Sequence, residues 1–175
     1  MELSKYIRSI PDYPKKGILF RDITTLIKNK EAFKETIDQL SKVASKFKFD
    51  KLAAVESRGF VFASAISYNL SKSLILIRKK GKLPADVFSQ DFVLEYGEAT
   101  IEVHKDSINK DESALIIDDL IATGGTAEAA AKLVEKSGGK VSGFIFVINL
   151  YDLGGVKKLN DKGYEALSLI EFPGH

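Results

Sequence analysis

No cysteine occurs among the 175 residues, so disulfides and thiolate metal sites are excluded. Histidine is nearly absent as well: His104 and His175 stand far apart, with no ligand spacing between them. Charge of one sign is not in excess, since 26 Lys and Arg against 24 Asp and Glu leave +2. Neither nucleic acid nor a membrane surface is therefore expected as a partner. No apolar run approaches the roughly 20 residues that span a bilayer. The opening MELSKYIRSI lacks the apolar core of a secretory leader, so a cytoplasmic location is expected. Repeats, low-complexity tracts and Pro/Gly-rich linkers are missing too, which leaves one domain over residues 1–175.

What remains is ordered by periodicity. Phe33, Ile37, Leu40, Ala44 and Phe47 recur every three or four residues and predict an amphipathic helix over about 31–47. Leu3 to Ser9 suits a short helix, after which Pro11, Pro14 and Gly17 impose an extended or turning path. Lys51–Glu56, Ser73–Arg78, Ser113–Asp118, Val141–Leu150 and Ala166–Phe172 read as buried strands. Gly59–Leu70, Gly125–Ser137 and Gly154–Asp161 read as the helices between them. Phe92–Tyr96 and Thr100–His104 flank a Gly-containing turn and predict a hairpin. Alternating strands and helices indicate an α/β fold with a mainly parallel sheet, whose ligands bind beyond the carboxyl ends of the strands. Four such ends carry polar clusters, at Glu56–Gly59, Arg78–Lys82, Asp118–Asp119 and Asn149–Asp152, and they are expected to converge.

The stretch ALIIDDLIATGGT, residues 114–126, is the most informative. A helix start presents unpaired N–H groups and a partial positive charge. Gly124 and Gly125 let those amides approach a ligand without a Cβ in the way, and Thr123 and Thr126 add hydroxyls. A monophosphate fits this arrangement. Asp118 or Asp119, a few residues back, then suits the hydroxyls of a phosphorylated ribose, or a Mg²⁺ carried by substrate phosphates. The pattern is neither a Walker A loop nor a G-x-G-x-x-G dinucleotide fingerprint. The plain alternative is a tight turn with a threonine cap.

LIIDDLIATGGT resembles the signature of the type I phosphoribosyltransferases, which use 5-phosphoribosyl 1-pyrophosphate (PRPP). Further stretches are similar to the adenine-using branch of that family: IPDYP with GILFRDIT, VESRGF, RKKGKLP, and LEYG with EVHKD, in order over roughly residues 8–152. Asn149 departs from the family pattern, which has an acid before Leu150, and the chain beyond Tyr151 matches loosely. The resemblance implies a single α/β domain with a small N-terminal hood (about residues 1–30) over the base and a flexible hairpin lid. It implies transfer of the phosphoribosyl group of PRPP to adenine, giving AMP and pyrophosphate, with Mg²⁺ bound alongside PRPP.

Residue roles follow from the same resemblance. Arg58, Arg78, Lys79 and Lys82 are implied to grip pyrophosphate, part of the basic loop reaching a neighbouring subunit and so implying a homodimer. Asp118 and Asp119 take the ribose hydroxyls. Ala122, Thr123, Gly124, Gly125 and Thr126 take the 5′-phosphate. Glu95 is the candidate acid/base, with Arg58 assisting the leaving group and Tyr96 helping the lid to close. Backbone groups of Leu19 and Arg21 are assigned to adenine, with Phe20 and Leu150 on its two faces. The alternatives are a sibling enzyme for a 6-oxopurine or orotate, a PRPP-binding regulator without turnover, and a degenerate structural relative.

Overall fold

The computed structural model describes residues 1–94 and 97–175. The expectations placed on Glu95 and Tyr96 lie outside the described residues.

Among the described residues two sheets are formed. A small antiparallel pair joins β1 (Arg8–Pro11) and β2 (Leu19–Asp22) near the N-terminus. A short α1 (Thr24–Ile27) and the long α2 (Lys30–Ala44) follow, the latter capped by the Asn29 side chain accepting from the Ala32 amide at 3.0 Å. The main sheet is built from β3 (Lys51–Val55), β4 (Ser73–Lys79), β5 (Val87–Leu94), β6 (Gly97–His104), β7 (Ser113–Ile121), β8 (Lys140–Leu150) and β9 (Ala166–Phe172). Its order is β5-β6-β4-β3-β7-β8-β9. Strands β4, β3, β7, β8 and β9 pair in parallel, while β6 joins β4, and β5 joins β6, in antiparallel fashion. The crossovers are α3 (Arg58–Leu70), α4 (Gly125–Lys136) and α5 (Gly155–Asp161).

Both faces of the central parallel strands β3, β7 and β8 are covered, which is why those strands read as near-continuous apolar runs. Leu52, Ala54, Leu115 and Ile117 pack in one core with α2 and α3. Ala53, Val55, Ile75, Ile77 and Ile116 pack in the other, against α4. Strand alternation thus splits each run between two cores.

Several element bounds differ from the sequence reading. Strand β7 does not stop at Asp118 but runs to Ile121, because Leu120 and Ile121 keep pairing with Ile148 and Asn149 of β8. Helix α2 ends at Ala44, and Phe47 reaches the core from the following turn, where it abuts Gly143. The β5–β6 hairpin begins at Val87, earlier than its apolar centre suggests. The Leu3–Ser9 helix shrinks to a 3-10 turn at Leu3–Tyr6, because Arg8 and Ser9 pair with Asp22 and Arg21.

Candidate active site

The parallel strands end at a cleft of about 820 Å³. Its floor is the end of β7 and the loop into α4, from Asp118 to Ala127. One wall is Val55–Arg58, with Lys79 at its rim. Opposite stand Lys16–Leu19 of the N-terminal hairpin, with Phe146, Leu150 and Leu153, while Val93 and Leu94 of β5 overhang it. Three of the four polar strand ends therefore converge as expected. The fourth contributes Leu150 and Leu153, whereas Asn149 points its Nδ2 at Glu171 Oε1, 3.4 Å away.

The loop Ala122–Gly124 is a cradle with free donors. The first intrahelical bond of α4 runs from Glu128 N–H to Gly124 C=O at 2.9 Å, so the amides of Gly125, Thr126 and Ala127 precede it. The N-cap residue is Gly124, which has no side chain to cap this end. Gly124 takes φ +88°, a conformation that favours glycine, and a Cβ there would also sit 3.2 Å from Gly155. Gly155 supports the loop from behind: its N–H donates to Ala122 C=O at 3.1 Å, and a Cβ on it would lie 2.5 Å from that oxygen. The sequence reading missed Gly155, whose only signal is a second glycine beside Gly154.

The two acids behave differently. Asp119 is buried, and its Oδ2 accepts from Arg58 Nε at 2.5 Å. Asp118 Oδ1 accepts from the Asp119 amide at 2.8 Å. Burial, and next the Asp119 charge, push the Asp118 carboxyl well above the usual carboxylate range. Helix α3 comes so close that a Cβ on Gly59 would lie 2.9 Å from Asp118 Oδ1, which explains the glycine in VESRGF. The peptide between Glu56 and Ser57 is cis. Desolvation works to lower the Arg58 pKa, but Asp119 and then Asp118 outweigh it and hold the guanidinium firmly protonated.

The basic segment is partly committed. Arg78 Nε donates to Glu56 Oε1 at 3.1 Å and is not among the residues lining the cleft. Lys82 is exposed, and among the described residues neither it nor Lys79 forms an ion pair. Among these residues no group of three or more His, Asp or Glu side chains is placed to hold a metal. With Asp119 engaged by Arg58, the donor set suits a cation that arrives on substrate phosphates rather than one held by protein alone.

The N-terminal hairpin offers backbone groups. Pro11 pairs with Leu19 but has no N–H, so that pair cannot be the mutually hydrogen-bonded kind. The alternation of an antiparallel ladder then turns the amide and carbonyl of Leu19 and Arg21 away from β1. Leu19 lines the cleft with Leu150. Phe20 packs edge-on against Tyr13, with centroids 5.1 Å apart. The Arg21 side chain leaves the cleft: its guanidinium lies 4.3 Å over the Phe172 ring and donates to Ser9 Oγ and Pro173 C=O.

The phosphoribosyl transferase domain model matches residues 22–173. A Pelagibacter ubique protein named adenine phosphoribosyltransferase is 67% identical over 175 residues, all of both chains. The crystal structure of adenine phosphoribosyltransferase from Thermoanaerobacter pseudethanolicus superimposes with a TM-score of 0.93 at 47% identity, over 98% of each chain. The Saccharomyces cerevisiae enzyme of that name, complexed with an imino-altritol bisphosphate and adenine, gives 0.88 at 34% identity over 96% of each chain. With a domain match across most of its length and a full-length relative at this identity, the chain belongs to the phosphoribosyltransferase family.

Proposed function

We propose that the chain transfers the 5-phosphoribosyl group of PRPP to adenine, releasing pyrophosphate and forming AMP. One observation carries this reading: the amide cradle at Ala122–Thr126 sits directly beyond Asp118 and Asp119 in one cleft. That is the layout a 5′-phosphate and a ribose diol need. The full-length likeness to proteins named for adenine selects the base.

The bond broken is C1–O to pyrophosphate, and the bond formed is C1–N9 of adenine. The electron pair leaves on pyrophosphate, and the N9 proton goes to an acid/base that we assign to Glu95. The sugar passes through an oxocarbenium-like state, so the protein acts chiefly by positioning and electrostatics. The α4 amides and Thr123 and Thr126 anchor the 5′-phosphate, which fixes C1 at the other end of the ribose. Asp119 and Asp118 accept from the diol. Arg58, Lys79 and Lys82 draw charge onto the leaving diphosphate, where a Mg²⁺ carried by PRPP would supply further charge neutralisation. The outward amide and carbonyl of Leu19 and Arg21 read the edge of adenine, whose exocyclic amine needs an acceptor. Leu150 supplies an apolar face.

The working form we propose is a cytoplasmic homodimer, AMP and PRPP being charged metabolites that do not cross bilayers. The face of the sheet covered by α3 leaves Leu76 42% exposed, beside a helical stripe with Val61 at 41% and Tyr68 at 88%. A second copy on that face would cover them and bring its own basic turn alongside. Pyrophosphate release with Mg²⁺, PRPP and one base at a time tests the activity: adenine should give turnover and hypoxanthine, guanine and orotate little. Turnover with an oxo base instead would select the sibling reading, and PRPP binding without turnover the regulator.

A further inference from the structure

Glu102 lies in the middle of β6, is only 7% exposed and makes no ion pair among the described residues. A buried acid of this kind is retained only if its oxygens are occupied. One oxygen, Oε1, accepts from the Gly81 amide at 2.6 Å. The other accepts from Ser89 Oγ at 2.9 Å. Gly81 is the apex of the basic turn Arg78–Lys82, and Ser89 belongs to β5 of the lid hairpin. Ser89 is itself tied to α4, because its carbonyl accepts from Lys136 Nζ at 2.6 Å. At its other end the turn is held by Glu56, whose Oε1 accepts from the Lys79 amide at 3.0 Å.

Two carboxylates thus hold alternate amides of one cationic turn. The Lys80 amide donates to Thr100 C=O at 3.1 Å and the Lys82 amide to Lys79 C=O at 3.3 Å, so Glu102 is what holds the apex: Gly81 takes φ +82°, a Cβ there would meet nothing within 4 Å, and Lys80 and Lys82 are exposed. A mobile lysine loses more entropy on binding a diphosphate than one already placed.

We propose that Glu102 is a positioning residue for PRPP: its two oxygens tie the basic turn to the lid hairpin, presenting Lys79 and Lys82 to the diphosphate. The inference rests on the assignment of that turn to the leaving group.

A double-mutant cycle between Glu102→Ala and Lys82→Ala tests it, with KM measured separately for PRPP and adenine. Glu102→Ala should raise KM for PRPP about tenfold, the loss of charge-assisted hydrogen bonds, and leave KM for adenine within about twofold. In the Lys82→Ala background the same change should add less than about threefold. Glu102→Gln keeps an acceptor for Gly81 and an amide for the Ser89 hydroxyl, and should restore most of the PRPP affinity. A fully additive cycle, or an unchanged KM for PRPP in folded Glu102→Ala, overturns the proposal. An unchanged KM for PRPP in Lys82→Ala overturns the assignment of the turn, and this inference with it. Loss of adenine-dependent turnover in the unmodified protein would instead overturn the transferase reading.

Discussion

Arg58 Nε and Asp119 Oδ2 meet at 2.5 Å, tying the first residue of α3 to the end of β7 across the floor of the cleft. On the proposed function the pair marks the junction of ribose and diphosphate, and substrate is expected to replace it: the guanidinium would turn to diphosphate oxygens, and the carboxylate would be released to the diol. Replacing both acids, Asp118→Asn with Asp119→Asn, should abolish PRPP turnover while the near-isosteric amides keep the chain folded. Circular dichroism and pyrophosphate release check the two halves. Full turnover in a folded double variant would contradict the diol assignment.

The raised pKa of Asp118 has a thermodynamic consequence. A carboxyl that holds its proton more tightly when folded makes stability fall as pH rises from the ordinary carboxylate range through the raised value. Asp118→Asn, which keeps an acceptor for the Asp119 amide, should raise Tm at neutral pH by about 2–4 °C. The gain should fade below the ordinary carboxylate pKa, where Asp118 is protonated in both states. Thermal melts across pH read this directly, and an equal or lower Tm at neutral pH would count against it.

Glu128 works in the opposite sense. Hydrogen bonding to Lys158, with Lys162 adding to it, pulls its pKa down to about 2. Those contacts, at 2.9 and 3.2 Å, join α4 to the segment Lys158–Lys162 behind the Ala122–Gly124 loop. The stability they contribute is present above the ordinary glutamate pKa and is lost as pH falls toward about 2. Glu128→Gln should destabilise by about 1 kcal/mol at neutral pH, the lysines being half-exposed and their attraction screened. Chemical denaturation at neutral pH and at pH near 3 should show the gap to the unmodified chain narrowing.

Gly155→Ala tests the cradle from behind. Its Cβ would lie 2.5 Å from Ala122 C=O and 3.0 Å from the Gly124 amide, so the loop must move. KM for PRPP should rise tenfold or more, at about 1–3 kcal/mol of overpacking, while KM for adenine changes little. Equal effects on both substrates would argue for general loosening instead.

Glu95→Gln should lower kcat by about two orders of magnitude while PRPP binding is retained, as expected for loss of a general acid/base. Single-turnover kinetics beside equilibrium PRPP binding separates the two, and an unchanged kcat would remove Glu95 from the chemistry.

Much of this was legible in the sequence, for identifiable reasons. The central parallel strands β3, β7 and β8 are buried on both faces and so stand out as apolar runs, and the Asp118–Thr126 junction has a composition that little but an anion site requires. Pairings between distant segments were harder. The β1–β2 hairpin was hidden because Pro11 and Pro14 signal turns, and its partner strand lies beyond Gly17. The acids appeared to terminate β7, although the ladder to Ile148 and Asn149 carries it past them. The ion pair between Arg78 and Glu56 was not legible, because Glu56 lies at the neighbouring strand's exit and only register brings the two together. Glu102 carried no signal of its own in the sequence, because the groups that occupy its oxygens, the Gly81 amide and the Ser89 hydroxyl, are brought to it by the fold.

The most direct test is a crystal structure with AMP and pyrophosphate bound. The account predicts the 5′-phosphate on the amides of Ala122–Thr126, the ribose diol within hydrogen-bond reach of Asp118 and Asp119, and the adenine edge on the backbone of Leu19 and Arg21. A nucleotide seated elsewhere, with that cradle filled only by solvent, would contradict it.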